Sequence, residues 1–260
     1  MADIIEVKNL TLHYNDILIF KDISFSISSK DFITIMGANG SGKSLLAHVL
    51  IGLISYDGSV KLMGEEVKKI DRDIIMSKIS FIMDDYDNYY LEKNVVSEFM
   101  DINVNSKLLK SIIRELELQN LLERDPRTLS VGEKQLINIA CAILEQKPII
   151  ILDNALSMID QNKKKKVFNL LKRINEKGTI IINVTQDSED ILYSKRVIVL
   201  NDNKMIIDDS IKNALMKEKE FSNAHINLPF IAELCIKLKY YNIISKIELD
   251  SVKLVNNIWK

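Results

Sequence analysis

Only two cysteines occur in the 260 residues, Cys141 and Cys235. They lie far apart, without metal-ligand spacing, each in an apolar stretch that reads as core. No cysteine metal site is available, and a reducing, cytosolic setting follows. Neither sign of charge is in excess: 35 Lys and Arg stand against 36 Asp and Glu, for a formal net charge of -1. The clustered positive charge of a general nucleic-acid binder is therefore missing. The one dense basic run, residues 163–166, reads as a solvated helix face. Apolar runs stay short of the roughly 18 residues of a membrane-spanning helix, and residues 1–10 are charged and alternating rather than a basic stretch leading into an apolar one. Anything this chain does at a membrane would need another subunit to hold it there. Internal repeats and low-complexity tracts are absent too, and the length suits one large domain with at most a small appendage.

What is present is an alternation of short strands and helices. Residues 4–7, 23–27 and 32–36 have strand patterns, the last ending at a glycine cluster from which residues 45–54 continue as a helix. Further apolar strands are expected at 149–152 and 179–184. Between them, residues 161–175 carry Val167, Leu170, Leu171 and Ile174 at helical spacing. Short apolar runs bounded by helices suit the buried strands of a parallel sheet. Residues 94–144 are mostly helical, and 227–260 form two more helical patterns after a polar, charged linker.

The eight glycines of the chain are unevenly used, with three in the run Gly37, Ala38, Asn39, Gly40, Ser41, Gly42, Lys43, Ser44. This is a full phosphate-loop pattern between a strand and a helix. Its backbone N–H groups can turn inward on phosphates, Lys43 offers a point charge to the β and γ groups, and the Ser44 hydroxyl can ligate Mg2+. ATP and Mg2+ are the cofactors that follow. The strand 149–152 ends in Asp153, a carboxylate placed to hold Mg2+ through water; in isolation, a buried strand that merely ends in a turn aspartate would look the same. Between these elements lies Leu129, Ser130, Val131, Gly132, Glu133, Lys134, Gln135, leading into a helix at 136–144. Alone, Ser130 reads as an ordinary serine cap.

Taken in order, these motifs resemble the ABC transporter ATPases. The resemblance implies an α/β phosphate-loop NTPase fold of ABC type, with an N-terminal antiparallel β subdomain, a helical subdomain at about 92–145 and a small C-terminal helical extension. The nucleotide-binding domain is expected to cover 1–225 and the C-terminal domain 226–260. It implies that Ser130, Val131, Gly132 and Glu133 form the signature, which holds the γ-phosphate of ATP bound to the opposite subunit. A helix N-terminus, with its free N–H groups and positive dipole end, suits that role. Tyr14, by itself a strand-end aromatic, falls where the family stacks an aromatic on adenine. Residues 157–160 resemble the loop that crosses the dimer interface, and Gln186 stands at the switch position. Within the family the chain is most similar to the energy-coupling factor ATPases, through Asp87 and Asn88, the segment 228–234 and the ending 254–259. Those proteins work as dimers beneath an integral membrane scaffold and a substrate-capturing membrane subunit, on the cytoplasmic face.

Against the family pattern, several groups on the γ-phosphate side are replaced. The glutamate that polarises the attacking water is Asn154, which can hydrogen-bond water but cannot take its proton at neutral pH. The switch histidine is Gln186, and His13, His48 and His225 lie elsewhere in sequence. The glutamine that senses Mg2+ aligns with Asp84, whose carboxylate is still an oxygen ligand for a hard cation. Val131 replaces a glycine, Glu133 a glutamine, and Leu45 a threonine. General-base catalysis alone is worth about 10²- to 10⁴-fold, so the site is expected to bind MgATP and hydrolyse it poorly. The expected assembly is a heterodimer in which Ser130 and Gly132 complete a partner's competent site. A homodimer would pair two degenerate sites. A subunit of another ABC transporter, or a regulatory ABC protein that dimerises on ATP, are the alternatives.

Overall fold

The computed structural model describes residues 3–83, 90–102 and 105–258. The alternation read at 4–7 belongs to a long ribbon. Strand β1, Asp3–Tyr14, pairs antiparallel with β2, Ile17–Ser28. Asn15 and Asp16 turn the chain with φ of 50° and 62°, the left-handed pair of a two-residue hairpin whose twist matches its strands. Strands β4, Asp57–Leu62, and β5, Glu65–Glu66, complete a four-stranded sheet of order β2-β1-β4-β5.

The second sheet carries the site. Its order is β10-β9-β3-β8-β7-β6, from β3 Phe32–Gly37, β6 Ile79–Ile82, β7 Ile149–Asp153, β8 Ile180–Val184, β9 Arg196–Asn201 and β10 Lys204–Ser210. All but the β9–β10 pair run parallel. Every residue of β3, β7 and β8 is buried, as strands covered on both faces require. Helix α1, Lys43–Leu50, packs with the ribbon in one apolar core. Helices α3 Val95–Asp101, α4 Ser106–Glu115, α5 Val131–Leu144 and α6 Gln161–Glu176 share a second core with Phe32, Ile150 and Leu152. Helix α2, Arg72–Lys78, leads into β6. Beyond β10 come α7 Ile211–Ala214, α8 Glu218–Asn223, α9 Phe230–Tyr240 and α10 Ser251–Ile258. Ile226 and Ala232 join the core that holds Met36 and Val199, while Cys235, Ile244 and Leu254 form a small core of their own.

Two helices differ from expectation. The one read at 45–54 runs Lys43–Leu50. It starts earlier because Gly42, at φ 88°, already turns the chain into it, and it stops earlier because Gly52 adopts φ 72°. The one read at 136–144 begins at Val131, because Ser130 and Glu133 form a capping box that supports five more residues. Among the described residues, no helix is long and apolar enough to cross a membrane.

Candidate functional site

The carboxyl ends of β3, β7 and β8 lie side by side, the place where open parallel sheets bind ligands. They deliver Gly37, Asp153 and the turn leading to Gln186 to one edge. The loop after β3 is tight underneath. A Cβ at Gly37 would lie 2.6 Å from the Leu200 carbonyl oxygen, and one at Gly42 would lie 2.6 Å from the Phe20 ring. It is open above, since a Cβ at Gly40 (φ 79°) would meet nothing within 4 Å.

Lys43 is folded onto this loop. Its Nζ donates to the Gly37 carbonyl at 2.9 Å and to the Ala38 carbonyl at 2.8 Å. Burial holds its pKa below the ordinary lysine value, with the Asp153 carboxylate opposing that shift. The Ser44 hydroxyl donates to Asp153 Oδ1 at 3.0 Å. Two oxygens suited to a hard cation are thus in contact at the mouth of the loop. Among the described residues no three His, Cys, Asp or Glu side chains cluster as a metal site, so Ser44 and Asp153 could hold Mg2+ only together with phosphate oxygens and water. The residues present fit such a phosphate-borne ion.

Asn39, Gly40, Gly42, Lys43, Ser44, Leu45, Asn154 and Gln186 line one cavity of about 220 Å³. Asn154 has φ 52°, a left-handed conformation that asparagine tolerates, and its N–H is fixed to the Val184 carbonyl at 2.9 Å. Its side-chain amide donates to Asp153 Oδ1 at 3.4 Å. Tyr14 ends β1, 45% exposed. Asp84 lies outside the described residues, as do Asp87, Asn88 and Trp259.

The residues read as the signature lie elsewhere. Ser130, Val131, Gly132 and Glu133 line a separate cavity of about 440 Å³ with Met158, Asp160 and Lys163, and it has no residue in common with the loop cavity. The Ser130 N–H and hydroxyl both donate to Glu133 Oε2 at 2.9 Å. The Ser130 N–H, helped by Arg124, holds the Glu133 carboxyl below its usual range. The Met158 N–H donates to Gln135 Oε1 at 3.2 Å, tying the loop 157–160 to α5. Gly132 makes that approach possible, because a Cβ there would lie 2.7 Å from the Met158 carbonyl oxygen. An alanine in a helix normally stabilises relative to glycine, but overpacking against backbone reverses the sign. Gly132→Ala is expected to destabilise the fold by about 1–3 kcal/mol, read by denaturant unfolding. An unchanged or raised midpoint would mean that the loop yields freely.

One expectation is corrected. The run 163–166 is not all solvated: Lys164 is 5% exposed, its Nζ 2.6 Å from both Asp187 and Asp190. Helical spacing puts 164 on the same face as the buried Val167, Phe168 and Leu171. That periodicity was the signal available, and the charge of the run masks it. Asp190, 1% exposed, also accepts from Asn183 Nδ2 at 3.3 Å. A second residue that sequence order does not bring to the site is His225. It lines a cavity of about 450 Å³ with residues 37–39 and 186–188, adjoining the loop cavity through Asn39 and Gln186.

These strand ends, with the glycine loop, Lys43 and the Ser44–Asp153 pair, define a phosphate-loop nucleotide-binding domain. The ABC transporter family pattern matches residues 20–157. The energy-coupling factor transporter ATP-binding protein of Fusobacterium nucleatum is 34% identical over 267 residues, which cover 92% of this chain and 99% of that protein. That of Pediococcus pentosaceus is 31% identical over 262 residues, covering 96% and 94%. Among solved structures, cbiO1 of Clostridium perfringens, part of the ABC transporter complex cbiONQ, has the same fold, with a TM-score of 0.72 at 22% identity over 90% of this chain and 99% of that one. The chain therefore belongs to the ABC transporter family, among its energy-coupling factor ATP-binding proteins.

Proposed function

We propose that this chain holds MgATP at a catalytically degenerate site, pairs with a second and competent ATPase subunit, and lends that partner its signature. The pair would work on the cytoplasmic face of a membrane, held there by an integral scaffold and a substrate-capturing membrane subunit. The observation that carries the reading is the side chain at the base position. Asn154 directs an amide N–H to the carboxylate that Ser44 also contacts, so the binding oxygens are kept while, among the described residues, no aspartate or glutamate lines the loop cavity to accept a proton from water.

Each group then has a role. Loop N–H groups and the start of α1 receive the phosphates, and Lys43 exchanges its loop carbonyls for phosphate oxygens. Ser44 and Asp153 would hold Mg2+, which would supply charge neutralisation to the phosphates. The exposed Tyr14 offers a ring face to adenine. The cavity lined by Ser130 and Gly132 shares no residue with this chain's own loop cavity, which fits a role in trans, and hydrolysis at the partner's site would drive opening and closing of the pair.

Calorimetry on the isolated chain tests the loop. Lys43→Ala is expected to weaken MgATP binding by about 10- to 100-fold, the worth of a charge-assisted contact. Equal affinity of the two proteins would refute the assignment of this loop as the phosphate site.

A further inference from the structure

The switch position of this chain holds Gln186, yet a histidine does stand near it. His225, in the connector between α8 and α9, lines the cavity that also takes in residues 37–39 and 186–188. Asn39 and Gln186 are shared with the loop cavity. His225 therefore lines the same cavity as the leading half of the phosphate loop, and that cavity adjoins the loop cavity at Asn39 and Gln186.

Its backbone is left-handed. The His225 N–H donates to the Ser222 carbonyl and the Ile226 N–H to the Phe221 carbonyl, each at 3.0 Å. Ala224 is the cap residue of α8, so His225 occupies the left-handed position of a Schellman turn, with φ 54°. Glycine is the usual residue there because it alone adopts that conformation without steric cost. The turn thereby holds the imidazole at a fixed place in a cavity that also contains the leading residues of the nucleotide loop. The segment is also anchored: the Phe230 N–H donates to Glu189 Oε1 at 2.7 Å, joining α9 to the loop that carries Gln186. The neighbouring Asp187 carboxylate is held by Lys164 at 2.6 Å, so its charge is countered from the α6 side.

We propose that His225 donates a hydrogen bond to the terminal phosphoryl group of a nucleoside triphosphate bound in this chain's own loop, making the connector part of the nucleotide site. Either neutral tautomer of imidazole carries one N–H donor, and the cation carries two. The proposal rests on the reading of 37–44 as the phosphate site and of Gln186 as a replaced switch residue. It also gives the C-terminal helices a direct sense of whether a γ-phosphate is present.

The test is calorimetry of MgATP and MgADP on the full-length chain and on His225→Gly, His225→Asn and Lys43→Ala. His225→Gly removes the imidazole and relieves the left-handed backbone, so the protein should melt no lower than the parent. Its ATP affinity should fall about tenfold, as for one hydrogen bond to a charged group, with ADP affinity within about twofold of the parent. Asparagine tolerates the same backbone and keeps an N–H donor on a shorter arm, so it should lose the ATP preference as well. An unchanged ATP affinity in His225→Gly, with Lys43→Ala still losing both nucleotides, would overturn the role of His225 and leave the loop assignment standing. Equal losses of ATP and ADP would also overturn it, since the residue would then shape the loop rather than meet the terminal phosphate. Failure of Lys43→Ala to weaken either nucleotide would instead remove the loop reading beneath it.

Discussion

ATP turnover by the assembled complex is expected to fall to background, a loss of more than about 10²-fold, when Ser130 is replaced by arginine. Ser130 is exposed at the N-cap of α5 and opens on a cavity bounded by the loop 157–160. None of the residues lining that cavity belongs to this chain's own phosphate loop, as the proposed service to a nucleotide held by another subunit requires. On the proposed reading, a long cation there would occupy the space into which the partner-bound γ-phosphate closes. The capping box would be lost as well, costing about 1 kcal/mol, so folding of the variant is checked first by its melting curve. Steady-state phosphate release from the complex is the measurement. Suppose instead that Ser130→Arg left the rate intact while Lys43→Ala destroyed it. Hydrolysis would then reside at this chain's loop, and the degenerate-site reading built on Asn154 would be wrong.

What was legible in advance was whatever local chemistry dictates. Glycines concentrated at 37–42 have no use in a generic turn, and an apolar strand ending in Asp153 can be paired with such a loop before any contact is known. Ser44 and Asp153 meet across 109 positions in the fold. The ribbon and the edge strands were less visible. β1 bends through Asn9 at φ 49° and shifts register several times, which breaks the strict alternation by which a strand is recognised. β9 and β10 lie beyond the glycine loop and the Asp153 strand, where no motif marks them. His225 shows a different limit. Its place in a Schellman turn is local and needs only a short helix before it, but its presence beside Gln186 depends on how the connector returns over β3, which no pattern in 218–227 encodes.

Lys164→Met should be the most destabilising single change in the switch region, at about 3–5 kcal/mol. Asp190 is 1% exposed, and removing the ammonium would leave its carboxylate buried with only the Asn183 amide and local groups around it. Burial already raises the Asp190 pKa, and Lys164 opposes that shift. In the same pair burial works to lower the Lys164 pKa, but Asp190 and Asp187 outweigh it and hold the ammonium above its ordinary value. The linkage therefore has a definite sign. Stability contributed by the raised lysine is fully present below its unfolded pKa and is lost only as pH rises through the still higher folded value, so the parent keeps the pair throughout the neutral range. In Lys164→Met the unpaired Asp190 can escape its penalty only by binding a proton, because its folded pKa then lies further above the unfolded one. The deficit should be largest at pH 7 to 8 and should shrink on acidification toward the unfolded carboxylate range, about pH 4. Adding Asp190→Asn should recover a large part of the loss at neutral pH and flatten the dependence, since it removes the buried charge while keeping a partner for Asn183. Urea unfolding of the two variants and the parent at pH 7.5 and pH 5 would decide it. A deficit that stayed constant or grew toward acid would mean that Asp190 is not the group left stranded, and that the clamp joining α6 to the Gln186 loop rests on Asp187 instead.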